Sequence, residues 1–153
     1  ISKRKVPITS CCVRNDHLFL GDSDGNIYMY LYKSEINKQQ FKSPEPRTDS
    51  NLAIKHMDIS EDGLYLLAGF ANGDIDLWEI NTKKYLYTVK SVHHSEITSI
   101  KFLSVTSNKQ FDFISCDIDC NCYNLVFCYW GFVFSKAREK KTLSLEKSND
   151  FFF

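Results

Sequence analysis

What this 153-residue sequence lacks narrows its chemistry before any motif is found. It has no excess charge of either sign, because 19 Lys and Arg balance 19 Asp and Glu. Nucleic-acid affinity comes largely from clustered positive charge, so no nucleic-acid surface is expected. A polybasic membrane patch is disfavoured for the same reason. The one basic run, KAREKK at Lys136–Lys141, is short and reads as a solvated connector. No window approaches the roughly 20 apolar residues a membrane helix needs, so direct membrane insertion is not expected. The opening residues, ISKRKVPITS, have neither an initiator Met nor an apolar signal core, and the sequence reads as a piece of a longer chain. There is no Asn-x-Ser/Thr sequon, and the six cysteines sit inside strand-like patterns. Both point to a reducing, cytosolic compartment. A long amphipathic helix, a Gly-rich phosphate cradle and a paired-carboxylate cluster are also missing.

What is present is a repeat. Residues 21–32 read GDSDGNIYMYLY, residues 69–80 GFANGDIDLWEI, and residues 116–127 CDIDCNCYNLVF. Gly21, Gly69 and Cys116 share one register, at steps of 48 and 47 residues. Gly25, Gly73 and Cys120 share the turn position, and Tyr30, Trp78 and Leu125 the bulky position five residues further on. Self-similarity at a fixed period decides the fold class before local propensities do.

Each repeat holds several short strand signals. In the middle one AIKHMDIS alternates, EDG turns, and YLLAGFA is the nearly continuous apolar run of a strand buried on both faces. Asn72-Gly73 predicts a type I′ hairpin turn. DIDLWEI alternates again, with Ile75, Leu77 and Glu79 on one face, and KYLYTVK supplies a fourth strand. In the third repeat EITSIKFL, FDFISCDI and NCYNLVF follow the same order, with GFVFSK as the fourth strand. In the first, PITSCCV, HLFLGDS and NIYMYLY are clear, and the fourth strand is the short QQFK. SPEPRTDSN is a loop between the first two repeats. Four antiparallel strands per unit at this period predict an all-β fold, a partial β-propeller of about three four-stranded blades. The expected blades are about residues 6–42, 52–90 and 96–136, with 137–153 a connector into a further blade and the final FFF its opening strand. Propellers close with about four to eight blades, so three form part of a ring.

Each candidate chemical site has a plainer role. DSDGN resembles the start of a calcium loop through Asp22, Asp24 and Asn26, but Ile27 and Lys33 stand where Gly and Glu are needed. DIDCN, from Asp117 to Asn121, fails likewise at Cys122 and Cys128. Cys116, Cys120, Cys122 and Cys128 have the spacing C-x₃-C-x-C-x₅-C, unlike paired zinc knuckles, and the turn separates Cys116 from the others. No metal or other cofactor is expected. Cys11 and Cys12 are adjacent, point to opposite faces and read as strand thiols. His93 and His94 precede a strand, with no orienting third group in view, so a turn-stabilising role is expected and no catalytic residue is assigned. Of the aromatic residues, Trp78 is assigned to the core, whereas Tyr28, Tyr30, Tyr32 and Trp130 divide between core and a protein-binding patch.

DLWEI resembles the Trp-Asp ending of WD40 repeats, with Glu79 in place of the aspartate, and HHSEITSIKF resembles their histidine-bearing lead into a first strand. Ala68 replaces the usual second-strand Ser or Thr, so the side-chain hydrogen-bond network of regular WD40 blades is not expected in the middle blade. The run GFANGDIDLWEINTKKYLYTVKSVHHSEITSIKF, then FISCDIDCNCYNLVF, is similar to the amino-terminal propeller of the vacuolar protein sorting-associated protein 8 family, over about residues 7–143. HLFLGDSDGNIYMY resembles the preceding blade of that family. The resemblance implies a non-enzymatic scaffold in a subunit of the CORVET endosomal tethering complex. It implies other complex subunits and an early-endosomal Rab GTPase as partners, and a cytoplasmic location, peripheral on the endosomal membrane. It assigns no partner-binding residue. The structural repeat positions Gly21, Gly25, Gly69, Gly73 and Trp78 are the expected key residues. The alternatives are a WD40-repeat scaffold outside membrane traffic and a propeller enzyme with its site on other blades.

Overall fold

A computed structural model describes residues 5–33, 39–43, 50–130 and 133–144, with side chains as far as Cys128. Twelve strands and no helix occur among these residues. The first sheet holds β1 (Ile8–Arg14), β2 (His17–Asp22), β3 (Ile27–Leu31) and β4 (Gln39–Phe41). The second holds β5 (Ile54–Ile59), β6 (Tyr65–Phe70), β7 (Ile75–Glu79) and β8 (Lys84–Val89). The third holds β9 (Ile97–Val105), β10 (Gln110–Asp117), β11 (Asn121–Trp130) and β12 (Val133–Ser144). Within each sheet, neighbours in sequence are antiparallel neighbours in space.

The sheets stack face to face, and the sequence of β6 shows why. Every residue of YLLAGF is buried. Side chains alternate across a strand, so Leu66, Ala68 and Phe70 enter a core shared with Phe19, Ile27, Met29 and Phe41 of the first sheet. Tyr65 and Leu67 enter a second core with Ile97, Ile100, Phe111, Phe113 and Phe127 of the third. Leu66, Leu67 and Leu77 have no exposed surface, and each such burial stabilises by about 1.5–3 kcal/mol. Along β10, by contrast, buried and half-buried residues alternate, the pattern of a sheet covered on one face only. Edge-on aromatic contacts lock both seams: Phe41 with Trp78 at 5.6 Å and Tyr65 with Phe111 at 4.7 Å between ring centres. The architecture is a partial propeller of three blades.

Three details differ from the sequence reading. First, the turn at Asn72-Gly73 is not type I′. Gly73 N–H donates to Phe70 O and Phe70 N–H to Asp74 O. Gly73 has φ of 86°, while Asn72 keeps negative φ. This is a three-residue loop, a tight turn followed by one left-handed residue, so only the last position needs positive φ. Second, β12 runs to Ser144, past Lys136 and into the expected connector. It is the outermost strand of its sheet, held by its ladder to β11, and charged residues are at home on an edge strand. Third, the turn does not separate Cys116 from Cys122: they pair directly across the β10–β11 ladder and are joined as a disulfide. The expected opening strand at FFF lies outside the described residues.

Candidate functional site

The hairpin turns between the second and third strands of the blades carry the most organised polar chemistry. In the first blade, Asp22 is 1% exposed. Its Oδ1 accepts the backbone N–H of Asp24 at 2.9 Å and of Asn26 at 2.8 Å. Its Oδ2 accepts from Asn26 Nδ2 at 2.9 Å and from the Tyr28 hydroxyl at 3.3 Å. The third blade repeats this arrangement. Asp117 Oδ1 accepts from Asp119 and Asn121 N–H at 3.0 and 2.9 Å, and Oδ2 from Asn121 Nδ2 at 3.0 Å. Here a further donor arrives from outside the hairpin, His93 Nδ1 at 2.8 Å. His93 Nε2 then lies 2.8 Å from Ser115 Oγ, and its ring leans on Tyr123 at 4.8 Å. The calcium-loop residues are thus turn caps: the first aspartate accepts from backbone and side-chain N–H groups, and the last asparagine donates its N–H and Nδ2 to it.

His93, Ser115 and Asp117 form a buried latch. Burial, the largest influence, pushes the His93 pKa down, with the Asp117 carboxylate pulling the other way. Burial would raise Asp117, but the Asn121 side-chain and backbone N–H bonds and His93 together outweigh it and hold the carboxyl down to about 2. An ionised Asp117 accepts only, so Nδ1 of neutral His93 carries the proton and Nε2 accepts from Ser115. The order Ser–His–Asp resembles a hydrolase triad. A nucleophile must reach its substrate, however, and Ser115 has no exposed surface. The arrangement ties the loop after β8 to the third blade. The sequence reading found no orienting group for His93; Asp117 supplies one from 24 residues away.

The latch also reaches the middle blade. A Cβ at Gly73 would fall 2.0 Å from the His93 carbonyl oxygen, and His93 N–H donates to Gly73 O at 3.3 Å. Gly73 therefore serves both a left-handed turn and a close backbone approach, whereas Gly25, φ 85°, faces Leu52 O at 3.0 Å. Gly21 and Gly69 are seats of another kind. A Cβ there would lie 2.8 Å from Ile54 and 2.7 Å from Ile97, the opening residues of the next blade's first strand. Trp78 is 2% exposed in the first core, and its Nε1 has no partner among the described residues. That orphan is the counterpart of Ala68, which offers no hydroxyl where Ser115 does. The middle blade instead uses Asp74, whose carboxylate accepts from Ser91 N–H at 2.8 Å and Asn72 Nδ2 at 2.9 Å.

The inner strands β1, β5 and β9 lie side by side and are zipped by side chains. Thr9 Oγ1 donates to Ile54 O at 2.7 Å and Arg14 to Ile59 O at 3.3 Å. Asp58 accepts Phe102 N–H at 2.8 Å and Lys101 Nζ at 3.1 Å, and His56 Nδ1 accepts Ile100 N–H at 3.3 Å. These bonds occupy edge groups that would otherwise invite another strand. A cleft of about 540 Å³ opens beside them, lined by Arg14, Asp58, Glu61, Asp62, Lys101 and Phe102 among others. The thiol of Cys12 is no nucleophile: burial, with Asp58 and Cys11 adding, pushes it up to about 12. Cys120 is exposed at the turn and Cys128 lies beside Gln110, so the four cysteines of the third blade do not converge on one point. Tyr32 is 62% exposed, whereas Tyr28 and Tyr30 are half-buried; the Trp130 side chain lies outside the described residues.

Stacked four-stranded blades, zipped at an inner rim and latched at their hairpins, define a protein-binding propeller scaffold. The Vps8 beta-propeller family model matches residues 2–135. The chain belongs to the Vps8 β-propeller family. No curated protein matches it. Among solved structures it is similar to U3-55K, at TM-score 0.64 and 19% identity, covering 92% of this chain and 42% of that one. It is similar to the WD40 repeats of RRP9, at 0.62 and 18%, with 92% and 42% covered. The Myceliophteria thermophila Cps50 (Swd1) propeller domain gives 0.63 and 14%, with 90% and 40% covered. At these identities the likeness shows the WD40 propeller fold, and the chain spans less than half the length of each.

Proposed function

We propose that this chain is part of the propeller of an endosomal membrane-tethering subunit, acting in vesicle fusion and in traffic from endosome to vacuole or lysosome. Its work is to hold partners rather than to transform a substrate. The partners are other subunits of a CORVET-type complex and an early-endosomal Rab GTPase in its GTP-bound state. The site of action is the cytoplasmic side of the endosomal membrane, reached by protein contacts; no helix among the described residues is long and apolar enough to cross a membrane.

The observation that carries this reading is the family match across residues 2–135, which takes in all three hairpins. The rigid inner rim supports it, since inter-blade hydrogen bonds fix the relative placement of the loops a partner would grip. The experiment is capture of purified early-endosomal Rab, loaded with GTP or GDP, by the complete propeller. Retention of the GTP form alone is expected. Equal retention of both forms, or of neither, removes the GTPase from the proposal. Failure of the full-length protein to assemble with the other tethering subunits removes the complex.

A further inference from the structure

We propose that Cys116 and Cys122 form a reversible thiol–disulfide couple that staples the β10–β11 hairpin behind the His93 latch. The two face each other as the last ladder pair before the turn, with Cα atoms 4.2 Å apart. The same pair in the other hairpins is Gly21 with Ile27 and Gly69 with Ile75. The third hairpin has therefore exchanged a glycine seat and an isoleucine for two thiols at bonding distance.

Its turn has changed as well. Cys120 has φ of 65°, left-handed like Gly25 and Gly73 but with a side chain. That conformation costs a non-glycine residue about 1–2 kcal/mol, so this is the hairpin with most to gain from a cross-link. The cross-link sits where it acts on the latch: Asp117 follows Cys116, and Asn121 precedes Cys122. When the couple is oxidised, the strand ends that carry Asp117 and Asn121 are tied covalently. When it is reduced, the turn is held by the capping hydrogen bonds alone.

Cys116 is half-buried and alternates with Ser115, which points to the latch, so the couple lies on the face of the third sheet turned away from the middle sheet, where Cys122 is 7% exposed. Cystines in reducing compartments are in the main transient and redox-sensing. With glutathione disulfide as the oxidant, the Cys116 thiolate attacks one glutathione sulfur and expels a glutathione thiolate. The Cys122 thiolate then attacks the Cys116 sulfur of the mixed disulfide and expels the second. Two cysteine thiols lose two protons and two electrons; one glutathione disulfide takes them up and leaves as two glutathione thiols.

The test uses the full-length protein, equilibrated in glutathione buffers from fully reduced to fully oxidised. Alkylation after acid quench, followed by mass spectrometry of the segment between Lys109 and Lys136, reads the state of each cysteine. Hydrogen exchange reads the Asp119 and Asn121 amides. A midpoint inside the buffer range is expected, with exchange at those amides slowed roughly tenfold on oxidation. Cys120→Ser should leave the midpoint in place, and Cys116→Ser or Cys122→Ser should abolish it. The double variant Cys116→Gly with Cys122→Ile rebuilds the pair of the other two hairpins and serves as a folded, redox-blind control. Free thiols at both positions in every buffer, or a disulfide in every buffer, would overturn the couple. A midpoint with unchanged amide exchange would overturn the staple.

Discussion

Replacing Asp117 tests whether the third blade is held by the latch or merely decorated by it. The carboxylate accepts four hydrogen bonds: from two backbone N–H groups, Asn121 Nδ2 and His93 Nδ1. Bonds to a charged group are worth about 1.5–3 kcal/mol each but do not add within one network, and stripping a buried partner leaves donors unpaired. Asp117→Ala should therefore cost about 3–5 kcal/mol, roughly one or two such bonds together with the desolvation of the donors left behind. Asp117→Asn is the discriminating variant. Its oxygen can still cap both backbone N–H groups, and its amide can donate to His93 Nδ1 if the ring shifts its proton to Nε2 and donates to Ser115, but that amide faces the Asn121 Nδ2 donor and loses its bond. The cost then falls to about 1 kcal/mol, near that of one neutral hydrogen bond. The acid response follows from the same groups. Asp117 is lowered from 3.8 to about 2, so its contribution is full above 3.8 and drains away as pH falls from there toward 2. His93 is also lowered, from 6.5, so its protonation favours the unfolded chain and stability starts to decline once pH drops below 6.5. Urea unfolding of the complete propeller at several pH values, with hydrogen exchange at the third blade, measures both effects. Equal losses for the Ala and Asn variants, or no loss for either, would refute the latch as the source of stability.

Gly73→Ala should be worse than Gly25→Ala. Both pay the left-handed penalty of about 1–2 kcal/mol, but at Gly73 the new methyl also meets the His93 carbonyl at 2.0 Å, so a further backbone shift is needed and the total should exceed about 3 kcal/mol; unfolding midpoints of the two variants give the order. Cys120→Gly should stabilise by about 1 kcal/mol, since the turn at φ 65° suits glycine; no gain in the same assay would contradict the strain assigned to that turn. Ala68→Ser offers the unpartnered Trp78 Nε1 a hydroxyl acceptor and should raise stability by about 1 kcal/mol, with indole hydrogen exchange slowing; a destabilised protein with unchanged indole exchange would show that the hydroxyl does not reach.

The blades were legible because their pattern is dictated by burial. A strand covered on both faces must read as YLLAGF does, and a register of 48 and 47 residues between Gly21, Gly69 and Cys116 cannot arise from unrelated strands. The extent of β12 was not legible, because an edge strand held by backbone bonds imposes no apolar alternation on KAREKK. The latch was half legible. His93 announced itself as the lead into a first strand, yet its partners Ser115 and Asp117 sit across a long loop closure, and Asp117 looked like a metal ligand because an aspartate that caps a turn and one that binds calcium begin with the same spacing. The useful signal was the match of DSDGN with DIDCN in one register: two loops that both fail as calcium sites, each with Asp first and Asn last. The pairing of Cys116 with Cys122 was readable only once the turn was known to be three residues long, since hairpin register follows loop length.

The Gly73–His93 contact and the latch have a practical corollary for anyone dissecting the ring. Sheets suggest a tidy incision just before Ile97, where the third blade's first strand starts. Yet the imidazole that completes the later blade lies upstream of that incision, on a residue whose backbone is pressed on the turn of the earlier one. Expression fragments that begin at Ile97 would carry an aspartate and a serine waiting for a histidine left behind. Excised or permuted versions should open before Ser91, and modular swaps between propellers should move the histidine loop together with the sheet it follows into, not the sheet it leaves.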